Sequence, residues 1–90
     1  MAVTVKIPAQ LRVVTDGEET IEAEGTTVGE VLDAVFARHQ DLEERITEDG
    51  DLRRFVNVYV GGEDIRFRDG LGTEVSEGDE VQILPAVAGG

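Results

Sequence analysis

The chain has 90 residues, of which 40% are hydrophobic and 31% are charged. This length accommodates one small domain, which buries about 60% of its unfolded surface and leaves no room for a second core. Twenty acidic residues against eight basic ones give a formal net charge of −12, which disfavours nucleic acid as a partner and favours basic surfaces.

Residue usage excludes several kinds of site. The chain has no cysteine, so disulfides, thiolate metal sites and cysteine nucleophiles are ruled out. Its single histidine, His39, cannot build a multi-histidine metal site and argues against a Ser-His-Asp triad. The apolar runs are too short for a transmembrane helix or a signal peptide, and we therefore expect a soluble, cytoplasmic protein.

The N-terminal part predicts two or three short strands. Residues 4–7 favour a strand, which the following proline ends because it has no N–H for a central ladder. Residues 11–15 are a second β-favouring stretch, and the Asp16-Gly17 pair is a hairpin-turn signal. Residues 20–23 alternate polar and apolar, as a half-buried return strand does.

A main helix follows. Thr27 with Glu30 three residues later forms a capping-box pattern. Apolar residues then recur at spacings of three and four, which predicts one buried helix face. These residues are Val28, Val31, Leu32, Val35 and Phe36.

Residues 41–51 are dense in charge, with Leu42 and Ile46 spaced as in one turn of a short helix. We interpret the acidic residues here as a solvated face. Calcium binding by the acidic residues between Glu48 and Asp51 is the alternative, but their spacing lacks the EF-hand ligand pattern.

The C-terminal half predicts further strands. Residues 55–60 are the strongest strand, and the glycines at 61–62 form a turn. Residues 65–67 are interpreted as a short strand, residues 70–72 as a loop, and residues 80–84 as the last strand. The order of strand, strand, helix and then several strands predicts an α+β domain of two layers. The same order is that of a β-grasp (ubiquitin-like) arrangement, with a mixed sheet of four to five strands packed on one main helix, but the pattern alone does not determine the topology.

The last six residues differ from the rest. We expect residues 1–84 to form the domain and residues 85–90 to form a flexible tail, since Pro85 blocks continuation of the ladder. Glycine at both Gly89 and Gly90 removes every Cβ near the terminal carboxylate, so the tail suits a narrow channel. The residues predicted to thread a partner's active site are Pro85, Ala86, Val87, Ala88 and Gly89.

A tail of this shape suits one reaction. An ATP-dependent partner enzyme could convert the Gly90 carboxylate to an acyl adenylate, which sulfide or a persulfide converts to a thiocarboxylate. Because the chain has no cysteine, any sulfur that it carries must be bonded to the backbone terminus.

Three segments together resemble a known family. Residues 55–60, residues 78–81 (Gly-Asp-Glu-Val) and the ending Ile-Leu-Pro-Ala-Val-Ala-Gly-Gly at residues 83–90 resemble the MoaD/ThiS-like sulfur carriers, which are β-grasp proteins related to ubiquitin. The ending is most similar to the CysO branch, the carriers used in cysteine biosynthesis in actinobacteria.

The resemblance implies a set of partners. An E1-like adenylyltransferase would activate Gly90, and a sulfurtransferase or sulfide source would supply the sulfur. A pyridoxal-phosphate-dependent cysteine synthase would consume it, and a zinc-dependent JAMM-type metalloprotease would release the product. ATP, pyridoxal phosphate and zinc then belong to the partners. The chain itself is expected to bind no cofactor, to be no enzyme, and to be monomeric alone.

Several alternatives remain open. Molybdopterin-synthase small subunits commonly have a double proline where Pro85 is followed by Ala86 here, which weakens a molybdopterin role; related carriers also serve secondary metabolism. A ubiquitin-like modifier conjugated through Gly90 would use the same activation chemistry. Lys6 is the only lysine, which argues mildly against polymeric chains. The third class is a plain interaction domain with an incidental diglycine.

A docking patch for the activating enzyme is a further hypothesis. Strand alternation places Phe55 and Tyr59 on the face opposite the valines at 56, 58 and 60. With Phe67 and Leu71 they could form an exposed apolar patch. The other interpretation, which we favour, is that most of these side chains belong to the core.

Overall fold

A computed structural model of the chain describes residues 2–54 and 56–85. Within these residues a mixed five-stranded sheet has the order β2-β1-β7-β5-β6, and β3 and β4 form a separate two-stranded sheet. The strands are β1 (Ala2–Lys6), β2 (Thr20–Glu24), β3 (Thr47–Glu48), β4 (Asp51–Leu52), β5 (Val56–Val60), β6 (Glu63–Asp64) and β7 (Glu80–Pro85). The α-helices are α1 (Val28–Arg38) and α2 (Gln40–Ile46).

Helix α1 begins as its sequence predicts. The Thr27 side chain accepts a hydrogen bond from the Glu30 N–H at 3.2 Å, which satisfies one of the open donors of the first turn. The Glu30 carboxylate reaches one residue further back than in the usual capping box and accepts from the Thr26 N–H at 2.8 Å. The predicted apolar face is confirmed, because all five of its residues are buried.

The core lies between α1 and one face of the sheet. In β5 the side chains of Val56, Val58 and Val60 are buried, whereas those of Asn57 and Tyr59 are only partly buried. The valine face therefore packs toward the helices, and the Tyr59 face is the open face of the sheet. In α2 the predicted helix is confirmed, with Leu42 and Ile46 both fully buried.

Two predicted strands are 3-10 helices instead. Residues Ala9–Val14 form a 3-10 helix, because the Leu11 N–H donates to the Pro8 carbonyl at 2.9 Å and the buried Thr15 hydroxyl donates to the Glu18 carbonyl at 3.0 Å. Local hydrogen bonds of this kind, which turn the chain back on itself, compete with the pairing of an extended strand.

Residues Ile65–Phe67 also form a 3-10 helix. The Asp64 carboxylate accepts from the Arg66 N–H at 2.8 Å, which is an Asx-type turn that closes the segment after two residues of β6. The edge strand that pairs with β5 is therefore Glu63–Asp64, and not residues 65–67.

The central strand of the sheet is β7. It pairs in parallel with β1 and antiparallel with β5, which is the mixed arrangement predicted for a β-grasp domain. Strand β7 extends to Pro85, which lies opposite Val56, one residue beyond the boundary predicted for the domain. The division into a domain and a tail stays a prediction, since residues 86–90 lie outside the described residues.

Candidate functional site at the end of the central strand

Toward the end of its described residues, strand β7 is paired on one side only. Its pairing with β1 ends at Lys6 and Gln82, whereas its pairing with β5 continues to Val56 and Pro85. The last three residues of β7 are thus held by β5 alone. Everything that follows in the chain starts from this end of the sheet, which we call the tail end.

The register explains how a proline fits in this ladder. Val56 uses its own N–H and carbonyl elsewhere: the N–H donates to the Arg53 carbonyl at 3.0 Å, and the carbonyl accepts from Arg66 Nη2 at 2.7 Å. The Val56–Pro85 pair therefore needs no N–H from proline, and such positions tolerate it. The proline at residue 85 therefore fits in the described part of the ladder.

Hydrogen bonds from the Arg66 side chain stabilise the start of β5. Its Nη1 donates to Asn57 Oδ1 at 2.6 Å, and its Nη2 also donates to the Arg53 carbonyl at 3.1 Å. Because Asn57 lies opposite Leu84, this guanidinium stabilises the segment that holds the last residues of β7. Sequence reasoning missed Arg66; the signal was Asp64 two residues earlier, which positions the Arg66 backbone.

A shallow groove of about 320 Å³ lies on the other side of β7. Its lining includes Lys6, Arg12, Glu19 and Leu84. Arg12 Nε donates to the Ile7 carbonyl at 3.1 Å, and Arg12 Nη1 lies 3.6 Å from the Glu19 carboxylate. Because Arg12 and Glu19 already pair with each other, these lining residues stabilise the turn after β1. The groove does not resemble a catalytic pocket.

The described residues offer no metal centre and no membrane helix. No group of three or more His, Asp or Glu side chains within residues 2–54 and 56–85 could hold a metal ion, which includes the acidic residues from Glu48 to Asp51 weighed for calcium. No helix in that part of the chain is both long and apolar enough to cross a bilayer.

Most predicted tail residues fall outside the described part of the chain. Pro85 is placed as the last residue of β7. The other predicted tail and sulfur-attachment residues, Ala86, Val87, Ala88, Gly89 and Gly90, lie outside the described residues, and so does Phe55 of the docking hypothesis.

The remaining members of the docking hypothesis are separated. Tyr59 is partly buried on the open face, opposite Gln82 and Asp64. Leu71 lies against Gly29 of α1 and packs on the core, hence on the other side of the sheet. Phe67 is 83% exposed, so it does not belong to the core.

Comparison with known proteins agrees with the fold. The sequence pattern of the ThiS family matches residues 5–90. The sulfur carrier protein CysO of Mycobacterium tuberculosis (strain H37Rv) is 47% identical over 93 residues, which cover 100% of both chains. The chain therefore belongs to the ThiS family, a family of β-grasp domains.

Two further relatives bear on function. A chain of the crystal structure of the Amycolatopsis orientalis BexX/CysO complex is 52% identical, with a TM-score of 0.91 and coverage of 98% of this chain and 99% of that one. The small archaeal modifier protein 3 of Haloferax volcanii is 41% identical over 64 residues, which cover 71% of this chain and 70% of that protein.

Proposed function

We propose that this protein is a sulfur carrier, a protein cosubstrate on which partner enzymes act. The observation that carries the proposal is the end of β7. Within the described residues the central strand reaches Pro85, and its last three residues are paired on one side only; a short uncharged segment that ends in Gly89 and Gly90 follows in the sequence. Full-length similarity to a CysO sulfur carrier supports it.

The proposed chemistry takes place at the Gly90 carboxylate. The carboxylate attacks the α-phosphorus of ATP, and pyrophosphate leaves with the electrons of the broken P–O bond. Hydrosulfide then attacks the acyl carbon, AMP leaves, and loss of the S–H proton gives the thiocarboxylate. Each step needs electrostatic stabilisation of developing charge, which we assign to the partner enzyme.

The tail composition suits these steps. Residues 86–89 are Ala-Val-Ala-Gly, so only one branched side chain precedes Gly90. A channel that holds ATP beside the acyl carbon leaves little space for side chains. Because this chain has no cysteine, we place the sulfur on the terminal carbonyl carbon.

We propose four classes of partner. They are an E1-like adenylyltransferase, a sulfurtransferase or other sulfide source, a pyridoxal-phosphate-dependent cysteine synthase, and a zinc-dependent JAMM-type metalloprotease. ATP, pyridoxal phosphate and zinc would all be bound by these partners. The similarity to a chain crystallised in the BexX/CysO complex supports action through a partner protein. We further propose that the protein is a cytoplasmic monomer until a partner binds it.

Cysteine formation is the proposed destination of the sulfur. Similarity to an archaeal modifier gives a second candidate, in which Gly90 is joined to a lysine of another protein. Both candidates share the adenylation step, so the products tell them apart.

Deletion of Gly90, or addition of one residue after it, tests the proposal. Either change should abolish ATP–pyrophosphate exchange by the activating enzyme of the same organism and should leave the unfolding transition unchanged. Gly72→Ala is a matched control, because a Cβ at Gly72 would meet nothing within 4 Å. Unchanged exchange in the deletion variant would refute the assignment of Gly90.

A further inference from the structure

The edge of the sheet formed by β2 is open over the whole strand. Strand β2 (Thr20–Glu24) lies at one end of the strand order and pairs with β1 alone among the described strands. Its pairs with β1 follow one another in register, so no bulge interrupts residues 20–24, and the strand contains no proline or lysine. Native proteins commonly use such features to protect an edge. The opposite edge, β6 (Glu63–Asp64), is only two residues long.

The backbone of β2 directs alternate groups toward this edge. The Ile7 N–H donates to the Glu19 carbonyl at 2.8 Å, which makes these two residues a hydrogen-bonded pair of the ladder. Such pairs alternate between antiparallel strands, so Ile21, two residues further along β2, bonds to β1 in the same way, whereas Glu22 does not. The N–H and the carbonyl of Glu22 therefore point away from β1. The bond that the Arg38 side chain donates to the Glu22 carbonyl agrees with this direction.

A groove of about 400 Å³ lies beside the same edge. It is lined by residues of β2 and α1, among them Ala23, Ala34 and Arg38. Ala23 is buried and Ala34 is partly buried, and each side chain is a single methyl group, so the groove offers a small apolar surface. A strand added at this edge would place every second side chain over the groove and the others on the open face of the sheet.

The side chains of β2 on the open face are acidic. Glu22 and Glu24 are both exposed, on a chain with a net charge of −12. A second copy of β2 paired antiparallel with the first would bring glutamates of the two strands close together, which is unfavourable. Lysine or arginine side chains at the same positions of another protein would instead form opposite-charge pairs. The edge therefore favours a basic strand and disfavours self-association.

We propose that the edge of β2 binds an extended segment of a partner protein as an additional antiparallel strand. The segment has basic side chains beside Glu22 and Glu24, and small apolar side chains at alternate positions over the groove along α1. Backbone hydrogen bonds to Glu22 provide affinity, and the side chains provide specificity. Because Arg38 bonds to the Glu22 carbonyl, the incoming strand displaces it. This site is separate from the chemistry of Gly90, so failure of either proposal leaves the other standing.

Fluorescence anisotropy tests the proposal, with the full chain and a labelled probe peptide, Lys-Val-Arg-Val-Lys-Val-Arg. Two modified peptides of equal charge separate strand addition from general electrostatic attraction. N-methylation of the central arginine and lysine, whose N–H groups would face Glu22 in an antiparallel pair, should raise Kd about tenfold or more. N-methylation of two valines, whose N–H groups would face away from β2, should change Kd by less than about threefold.

Variants of the chain test the side chains, once thermal unfolding shows that each is folded. Glu22→Lys should raise Kd about tenfold. Glu43→Lys on the exposed side of α2 changes the net charge equally and should stay within about twofold of the wild type. Arg38→Ala should lower Kd about threefold, because it frees the Glu22 carbonyl and removes a like charge. Arg45→Ala removes the same charge from α2 and is its matched control.

Amide hydrogen exchange locates the added strand. Saturating peptide should slow exchange of the Glu22 N–H and leave that of Ile21 unchanged, because Ile21 already bonds to β1. The proposal would be overturned by equal affinity for the two methylated peptides, by an equal rise in Kd for Glu22→Lys and Glu43→Lys, or by the absence of saturable binding. Protection of the Glu22 N–H in the concentrated chain alone would identify a second copy as the occupant and would overturn it as well.

Discussion

At the scale of single residues, Gly25 marks the closest approach between β2 and the start of α1. A Cβ built on Gly25 would lie 2.8 Å from the Val31 nitrogen and 2.9 Å from the Glu30 Cβ, which is closer than real Cβ contacts. The backbone of the first helical turn would have to shift. This tight junction requires glycine for its size and not for an unusual φ angle.

We therefore expect Gly25→Ala to lower the free energy of unfolding by about 1–3 kcal/mol, the usual cost of overpacking. Urea denaturation measures this change. Gly72→Ala is the control and should be neutral or slightly stabilising, because its Cβ meets nothing within 4 Å and alanine restricts the unfolded chain. Equal stability of the Gly25→Ala variant and the wild type would contradict the close contact.

Glu30 gives a prediction about pH. Hydrogen bonds from the Thr26 N–H at 2.8 Å and the Thr26 hydroxyl at 2.9 Å hold the pKa of Glu30 below its ordinary value of 4.5, with the backbone bond as the larger cause. Because the folded pKa is lower than the unfolded one, ionised Glu30 stabilises the fold above pH 4.5. This contribution is lost as the pH falls through the lowered pKa.

The variant Glu30→Gln should accordingly be less stable than the wild type at neutral pH. The difference in free energy of unfolding between the two should shrink as both are titrated to about pH 3. Urea midpoints across this range provide the measurement. A difference that stayed constant with pH would mean that the charge of Glu30 does not stabilise the helix start.

At the scale of elements, α2 depends on two side chains. The helix has seven residues, which is too short to be stable alone, and Leu42 and Ile46 anchor it in the core at 0% exposure. Leu42→Ala should cost about 2–5 kcal/mol in free energy of unfolding, measured by denaturation. Leu84→Ala, at 36% exposure, is the control and should cost clearly less.

The junction of β5 and β7 depends on Arg66. Its guanidinium donates to Asn57 Oδ1 and to the Arg53 and Val56 carbonyls. Arg66→Ala should lower the free energy of unfolding by about 1–2 kcal/mol and speed amide exchange of Val58 and Asn57 in β5. Arg54→Ala should change stability by less than about 0.5 kcal/mol, since Arg54 is also exposed but its side chain forms no comparable set of hydrogen bonds among the described residues. Equal stability of the two variants would show that the hydrogen bonds of Arg66 do not stabilise β5.

Long periodic elements were predictable and short ones were not. The spacing of five apolar residues determined α1, and alternation determined β2 and β5, because burial of one face repeats over many residues. Residues 65–67 were mistaken for a strand, since three residues carry too little periodicity to outweigh the turn imposed by Asp64.

The β3–β4 hairpin was missed although its signal was present. Asp49 and Gly50 have φ angles of 55° and 82°, the geometry of a type I′ hairpin turn, and Asp-Gly is its preferred pair. The segment was interpreted as a solvated acidic face instead, because many charged residues surround this pair. The turn at Asp16 and Gly17, with φ angles of 56° and 83°, was recognised by the same dipeptide.

At the scale of the whole molecule, the tail was easier to predict from sequence than the contacts that hold the strand before it. Residues 85–90 were distinctive by composition alone, as a proline followed by small residues and two glycines. The contacts that hold the last residues of β7 were not, because Arg66, Asn57 and Leu84 are far apart in the chain and only the fold brings them together. The exposure of Phe67 also conflicts with its apolar character, which sequence patterns interpret as core.

The central claim is that Gly90 carries sulfur as a thiocarboxylate. Intact-mass analysis of the protein purified from its native host tests it most directly. We predict a species with one oxygen replaced by sulfur, together with a cysteinyl adduct if cysteine formation is the destination. The same species should be missing when Gly90 is deleted. Detection of isopeptide-linked conjugates only, or of the unmodified chain only while the sulfur pathway is active, would contradict the account.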